Sequence, residues 1–405
     1  MQRPGHTHSQ GPGVEQPHPR QPRSFLPHLL RTKWKTRGGR RITPPFVTLY
    51  VTTRCDEKCI HCYYWDELNP KPNLDFRLDE FQKTLQSMGE IYNLFIGGGE
   101  PFLRDDLPDI LLSAAGTNWV TNLYVPTNGQ HTARVVATLE RTLAEAPRMR
   151  FHLNLSVDHT DPEIHDRLRG KKNALARMME TLRAIQPLRE RWPNLIVHTL
   201  TTVMKDNQDR IMEIYDDLLW IFQPDGVSFN YCRGNPLDPS QTEVNPRIYR
   251  QLIERMEQDF LESRPSRSGL NAYGPANHLL DQQVRRGIER TLTEGRAQFS
   301  CVAGRLACVI YSNGDVVECE INNSRLGNLR EVDYDFSRLW FGDRAAEVAR
   351  HAANGCFCTH ECGHYASTIY SLPKVIEITA ASLRTTMDSP RKTTHAPPRG
   401  ETSGA

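Results

Sequence analysis

The sequence predicts an α/β fold, a partial (β/α)6 barrel of the TIM type with a small C-terminal cysteine-rich domain. Three observations carry that expectation. Six short β-rich runs alternate with stripes of helical period between Phe46 and Tyr231. The alternation then stops and gives way to two helical stretches. Nine of the ten cysteines fall into two groups, three in 55–62 and six in 301–362, with Cys232 alone. Successive strands separated by helices imply a parallel sheet with right-handed crossovers. Eight such units would close a barrel, so six leave it open.

The elements follow in order. Phe46–Thr52 is an apolar β-rich run, and Leu78, Phe81, Leu85 and Met88 then recur at helical spacing. Tyr92–Ile96 is a second strand, followed by a helix carrying Leu107, Ile110, Leu111 and Ala114. Trp119–Val125 is a third strand and His131–Ala146 a helix. Phe151–Val157 alternates as a fourth strand before the stripe Leu175, Met178, Met179, Leu182 and Ile185. Leu195–Met204 is a fifth, followed by Ile211, Ile214, Tyr215, Leu218 and Phe222, and Asp225–Tyr231 is a sixth. Arg247–Ser263 and Asn277–Thr293 read as helices. Ala307–Tyr311 and Val316–Cys319 flank Asn313-Gly314, a hairpin signal. Residues 53–76 form a long loop after the first strand, and loops of that length in compact domains usually work.

Composition bounds the function. A chain of 405 residues with 38% hydrophobic and 24% charged residues suits a soluble globular protein. A net charge of +2 requires neither nucleic acid nor an acidic surface as partner. No apolar run approaches the roughly 20 residues of a membrane span. SFLPHLL (Ser24–Leu30) is too short and Pro-broken for a signal peptide. A cytoplasmic location, with no membrane or nucleic-acid partner, is therefore expected. In a reducing cytosol, clustered cysteines point to metal or redox chemistry more than to disulfides. Both ends, 1–42 and 369–405, are rich in polar residues and Pro, and are expected to be mostly disordered.

The first motif is Cys55-x-x-x-Cys59-x-x-Cys62, directly after strand one. Three cysteines at one fixed spacing should arise by chance only about 0.006 times in a chain of this composition. A structural zinc site needs four closed ligands; the loop has three cysteines, with His61 as the one further donor. Three thiolates on a four-iron cluster leave one iron open to a ligand. Gly98-Gly99-Glu100-Pro101 follows strand two. Its glycines let backbone approach a ligand, and Glu100 can accept from an ammonium. These segments, with Asn230–Gly234, all fall at the C-terminal ends of predicted strands, the face where (β/α) barrels carry their sites.

TRCDEKCIHCYYW and the GGEP stretch resemble the cluster and S-adenosylmethionine (SAM) motifs of the radical SAM superfamily. The resemblance covers roughly residues 46–365. It implies that Cys55, Cys59 and Cys62 hold a [4Fe-4S] cluster. It implies also that Gly98, Gly99, Glu100 and Pro101 meet the amino group of SAM. Thr127-Asn128-Gly129 is similar to the family's TNG segment. Ser156 and Asp158, in LSVD, resemble positions contacting the carboxylate and ribose of SAM. His165–Gly170 looks like the HDxxRG segment, whose Arg169 would pair with the SAM carboxylate, and His61 stands where an adenine-contacting ring is often found. Cys301, Gly314 and Cys319 fit the opening of the SPASM/twitch extensions, which hold auxiliary iron–sulfur clusters.

Beyond that opening the sequence departs from the full SPASM pattern, because only Cys356, Cys358 and Cys362 follow. One auxiliary cluster is expected, held by Cys301, Cys319 and two of those three, with Cys308 in the core. Zinc is the rival, kept open by His360 and His364. The implied layout is a disordered tail to 42, a radical SAM barrel over 43–235, a helical connection over 236–295 and an auxiliary domain over 296–368. The implied enzyme reductively cleaves SAM to a 5′-deoxyadenosyl radical that abstracts hydrogen from a substrate. That substrate is a small molecule in preference to a ribosomal peptide, and a flavodoxin- or ferredoxin-type donor supplies electrons. The different-class alternative is a non-catalytic iron–sulfur or zinc protein. Cys232 and Arg233 are candidate substrate-side residues.

Overall fold

The computed structural model describes residues 25–261, 275–354 and 356–388. Six parallel strands form the barrel wall: β1 (Phe46–Thr52), β2 (Asn93–Gly98), β3 (Asn122–Thr127), β4 (Arg150–Ser156), β5 (Leu195–Val203) and β6 (Gly226–Tyr231). Each pairs in parallel with the next, from β1 to β6. The helices are α1 (Phe25–Lys35), α2 (Leu78–Gln86), α3 (Leu107–Asn118), α4 (Thr132–Glu145), α5 (Pro162–Arg169), α6 (Ala174–Arg191) and α7 (Ile211–Asp217). α7 runs into a π-turn, Leu218–Phe222, where the sequence period suggested one continuous helix. The later helices are α8 (Pro246–Leu261), α9 (Pro275–Glu294), α10 (Phe336–Trp340), α11 (Asp343–Ala353), α12 (Glu361–Ile369) and α13 (Leu372–Asp388).

The C-terminal region does not stand apart from the sheet. β7 (Ala307–Ile310) pairs in parallel with β1, in register Phe46 to Ala307, and β8 (Asp315–Val317) and β9 (Arg325–Asn328) extend it antiparallel. The order is β6-β5-β4-β3-β2-β1-β7-β8-β9, one nine-stranded sheet. The hairpin expected at Asn313-Gly314 is present; Gly314 has φ +93, a conformation that favours glycine. It was expected in an appended domain, but the exposed edge of β1 is a ready template for another strand, and β7 occupies it.

Two further expectations are corrected. The tail assigned to 1–42 contains α1, whose Leu29 is fully buried and whose His28 Nε2 lies 3.1 Å from Tyr370 Oη. The tail assigned to 369–405 contains α13. Composition understated both, because a helix with a few well-placed apolar residues can be stabilised by packing on another element. Residues 1–24 and 389–405 lie outside the described residues. Among the described residues no helix is long and apolar enough to cross a membrane.

Side chains alternate across the barrel wall. Leu94, Leu123, Val125, Leu153, Leu155 and Val197, each at most 0% exposed, belong to the main hydrophobic core. Their neighbours along the strands belong to the opposite face. A ladder of rings crosses that inner face: Phe46 on Phe95 (4.7 Å between centroids), Phe95 on Tyr124 (4.2 Å), Tyr124 on His152 (4.2 Å) and His152 on His198 (5.2 Å). The last two rings also share a 3.0 Å hydrogen bond. This stack lies along the cavity in which the strand-end motifs meet.

Candidate active site

The cysteine loop is fixed by backbone bonds to two other loops. Lys58 N donates to Arg169 O (3.1 Å) and Ile60 N to Leu168 O (3.0 Å), while Leu237 N and Asp238 N donate to Cys62 O and Ile60 O. Asn69 closes the start of the loop, donating to Cys55 O and accepting from Cys55 N. α5 supplies Arg169 at its C-terminus. It starts at the Asp161 cap, which accepts from Glu163 N and Ile164 N, and ends at Gly170 (φ +62). A Cβ at Gly170 would lie 2.4 Å from Lys58 O, so only glycine lets α5 approach the cysteine loop this closely.

The second strand brings its glycines equally close. A Cβ at Gly98 would meet Thr52 O at 2.2 Å and one at Gly99 would meet Arg54 O at 2.0 Å. Glu100 follows, almost wholly buried. Its carboxylate accepts from Phe102 N (3.2 Å), Thr127 Oγ1 (3.0 Å) and Asn128 N (2.7 Å). Burial outweighs these three donors and pushes its pKa up to about 8. The site thus holds a buried carboxylate with neutral donors and, among the described residues, no cation paired with it, the complement of an ammonium group.

Next to it lies a compact charged group. Arg169 Nε is 3.0 Å from Glu57 Oε2 and Arg169 Nη1 is 3.1 Å from Asp158 Oδ2; all three side chains are buried. Asp158 Oδ1 accepts from Thr202 N (2.9 Å), and His61 Nε2 is 3.6 Å from Asp158 Oδ2. Burial alone would raise Asp158, but His61 and Arg169 hold it below the usual carboxylate range. Burial pushes Glu57 up to about 7 and Cys55 up to about 12, and it raises the Cys59 and Cys62 thiols too. Thiols held this way without a metal are neutral, and nearby positive charge is what would release their protons.

One cavity of about 430 Å3 collects the expected residues: Cys55, Cys59, His61, Cys62, Gly98, Gly99, Glu100, Pro101, Asn128, Ser156, Asp158 and Arg169 all line it. Cys232 and Arg233 line it as well. Sequence reasoning missed Glu57, Tyr50, Tyr63, Asp281, Arg285, Glu320 and Glu361, which border the same space, and had named His360, which also borders it, only as a possible zinc ligand. Some had a signal: Glu57 sits inside the cysteine motif, and Glu320 and Glu361 adjoin cysteines. Tyr50 Oη donates to Glu320 Oε1 (2.9 Å) and lies 3.0 Å from Tyr63 Oη. His360 Nε2 is 2.7 Å from Glu320 Oε2. Arg233 pairs with Glu361, whose other oxygen accepts from Tyr231 N (2.9 Å).

The six C-terminal cysteines, Cys301, Cys308, Cys319, Cys356, Cys358 and Cys362, line a second, smaller cavity of about 40 Å3. Glu318 borders it too, and its buried Oε2 has no hydrogen-bond partner. Cys308 lies within β7, buried, as a core residue would be. Of the two histidines that kept zinc open, His360 is engaged by Glu320 and His364 Nε2 lies 2.8 Å from Cys358 O. Among the described residues no three His, Cys, Asp or Glu side chains form a group placed to hold a single metal ion. Cys362 and His360 border both cavities, so the two cysteine groups meet across a shared wall.

A parallel barrel with cysteines and a glycine-supported carboxylate at its strand ends defines a cofactor-dependent enzyme with its site on the C-terminal face. The Radical SAM superfamily model matches residues 49–218, which span β1 to α7. The chain is 25% identical over 334 residues to an AdoMet-dependent heme synthase of Methanosarcina barkeri, covering 79% of this chain and 88% of that one. It is 26% identical over 300 residues to the subtilosin biosynthesis protein AlbA of Bacillus subtilis, covering 72% and 59%. In fold it resembles anSMEcpe with bound AdoMet (TM-score 0.55, 16% identity, 84% and 100% covered). It also resembles Streptococcus suis SuiB bound to the precursor peptide SuiA (TM-score 0.54, 17% identity, 78% and 69% covered). Residues 49–218 form a radical SAM domain. The protein is an enzyme carrying that domain, and the cofactors of the domain's family are a [4Fe-4S] cluster and SAM.

Proposed function

We propose that this enzyme cleaves SAM reductively at the cysteine loop and uses the product to abstract hydrogen from a small molecule seated in the same cavity. The observation that carries the reading is the convergence of Cys55, Cys59 and Cys62 with the uncompensated carboxylate of Glu100 on one cavity. When bound, the cluster and SAM supply the electron and the 5′-deoxyadenosyl radical; the protein supplies placement and exclusion of water. The three thiols hold the cluster. Glu100 receives the SAM ammonium, its orientation fixed by Thr127, Asn128 and Phe102. Gly98 and Gly99 bring backbone against the cysteine loop, and Asn128 steadies that loop by donating to Asp56 Oδ1 (2.9 Å).

His61 and Ser156 face the remaining SAM surface. Arg169 acts chiefly as a tie: with Glu57 on the cysteine loop and Asp158 beyond β4, it holds the loop to the barrel rather than reaching freely for a carboxylate. The second group holds an auxiliary iron–sulfur cluster, with Cys301, Cys319 and two of Cys356, Cys358 and Cys362 as its thiolates. The donor set fits in kind: six thiols, two buried and four half-buried, border one small cavity. A small-molecule substrate is supported by the size of the cavity, about 430 Å3, and by its walls on α9 and α12. A flavodoxin- or ferredoxin-type protein donates the electrons.

The test is anaerobic reconstitution with iron and sulfide, reduction with dithionite and chromatographic detection of 5′-deoxyadenosine. The Cys55→Ala/Cys59→Ala/Cys62→Ala triple variant serves as control. Product that is formed by the parent and lost in the variant is the expected result. A parent protein that binds iron but not SAM would overturn the reading in favour of electron transfer.

A further inference from the structure

We infer that Asp281 of α9 recognises a cationic nitrogen of the substrate, at the end of the cavity remote in sequence from the SAM motifs; this rests on the function proposed above. The cavity is walled by six acids, Glu57, Glu100, Asp158, Asp281, Glu320 and Glu361. Five are engaged. Glu57 and Asp158 flank Arg169, Glu361 holds Arg233, and Glu320 meets His360 and Tyr50. Glu100 has three neutral donors and is assigned to the ammonium of SAM. Asp281 is the exception: it accepts no hydrogen bond from any described residue, and its one charged contact is Arg285 Nη2 at 3.9 Å. That same Nη2 is committed to Val227 O at 2.8 Å.

A quarter of the Asp281 side chain is exposed, although its surroundings push its pKa up to about 6 through burial. Both facts follow if the exposed part faces the internal cavity rather than bulk water. Water in the cavity can reach this carboxylate, and a ligand that displaces that water must supply donors in its place. Other residues of the same cavity suit a small polar ligand. Tyr365 from α12 is close enough to feel the charge of Asp281, and Tyr124, His198, Asn154, Ser228 and Asn230 line the cavity elsewhere. An ammonium or guanidinium group supplies both the charge and the hydrogen bonds that Asp281 lacks.

The experiment uses the reconstituted, SAM-loaded protein and n-propylammonium chloride as probe, with butyrate and 1-butanol as anionic and neutral counterparts, followed by titration calorimetry. The expected result is saturable ammonium binding that weakens about tenfold or more in Asp281→Asn and in Asp281→Ser, with iron content and SAM affinity unchanged. No ammonium binding by the parent, equal affinity in both variants, or equal binding of butyrate would overturn the assignment. Failure of the parent to bind SAM is read separately in the same instrument and bears on the proposed function alone.

Discussion

The two cysteine groups reach their cavities by opposite routes. The first arrives within eight residues of one loop, held in place by backbone hydrogen bonds to the end of α5 and to residues 237–238. The second is gathered from separate segments: Cys301 before β7, Cys308 inside it, Cys319 after β8, and Cys356, Cys358 and Cys362 around the start of α12. A site built in one loop is specified locally and inherits the rigidity of the strand behind it. A site built from distant segments exists only once the sheet has been extended across the β1 edge. The two should therefore fail differently.

The largest expected contrast is between Cys59→Ala and Cys319→Ala. Each should lose about four of about eight irons. Only Cys59→Ala should abolish 5′-deoxyadenosine formation, by about 100-fold or more, because the proposed function places the SAM-cleaving cluster on that loop. If Cys319→Ala removed SAM cleavage with its barrel cluster intact by electron paramagnetic resonance, the two groups would have to be treated as one functional unit.

Glu100→Gln should come next. Replacing a carboxylate that meets an ammonium removes a charge-assisted bond of about 1.5–3 kcal/mol, or roughly 10- to 150-fold in SAM affinity. The pH dependence sharpens the test. With its ligand absent, Glu100 has a pKa raised to about 8, so the folded protein holds a proton there that the unfolded chain releases near the ordinary glutamate value. Stability from this group is thus present below that ordinary value and falls as pH rises towards 8. With Glu100 as the proposed partner of the SAM ammonium, the ionised carboxylate is the binding form, so SAM affinity should increase with pH up to about 8 and then level off. In Glu100→Gln calorimetry should find that slope gone.

The smallest effect is expected at the shared wall. Tyr50→Phe deletes the hydroxyl that joins Glu320 to Tyr63 and should cost roughly 1 kcal/mol in denaturant unfolding, without iron loss. Loss of either cluster in this variant would show that the wall, and not each cysteine group by itself, holds the metal.

Much of the barrel was legible from period alone, since each of the six expected strands overlaps an observed one. Its polar lining was legible in retrospect. Fully buried parallel strands usually read as continuous apolar runs. Here Asn154 and Ser156, His198 and Thr202, and Ser228 and Asn230 recur at every second or fourth residue, marking an inner face that opens on a cavity. The junction of the C-terminal hairpin with β1 was not legible, because strand pairing between residues 46 and 307 leaves no trace in either segment's own pattern. Nor were α1 and α13, whose few buried residues are diluted by polar ones.

By itself the sequence determined the alternation of strands and helices, the cysteine loop and the carboxylate at the end of β2, because these depend on spacing along a short stretch of chain. Only the tertiary structure decided that Arg169 is spent on Glu57 and Asp158, that six scattered cysteines border one small cavity next to the large one, and that Asp281 has no donor among the described residues. Such facts depend on which side chains from distant segments share a desolvated space. There the cost of an unpaired charge is set by every neighbour at once, and no local pattern records it.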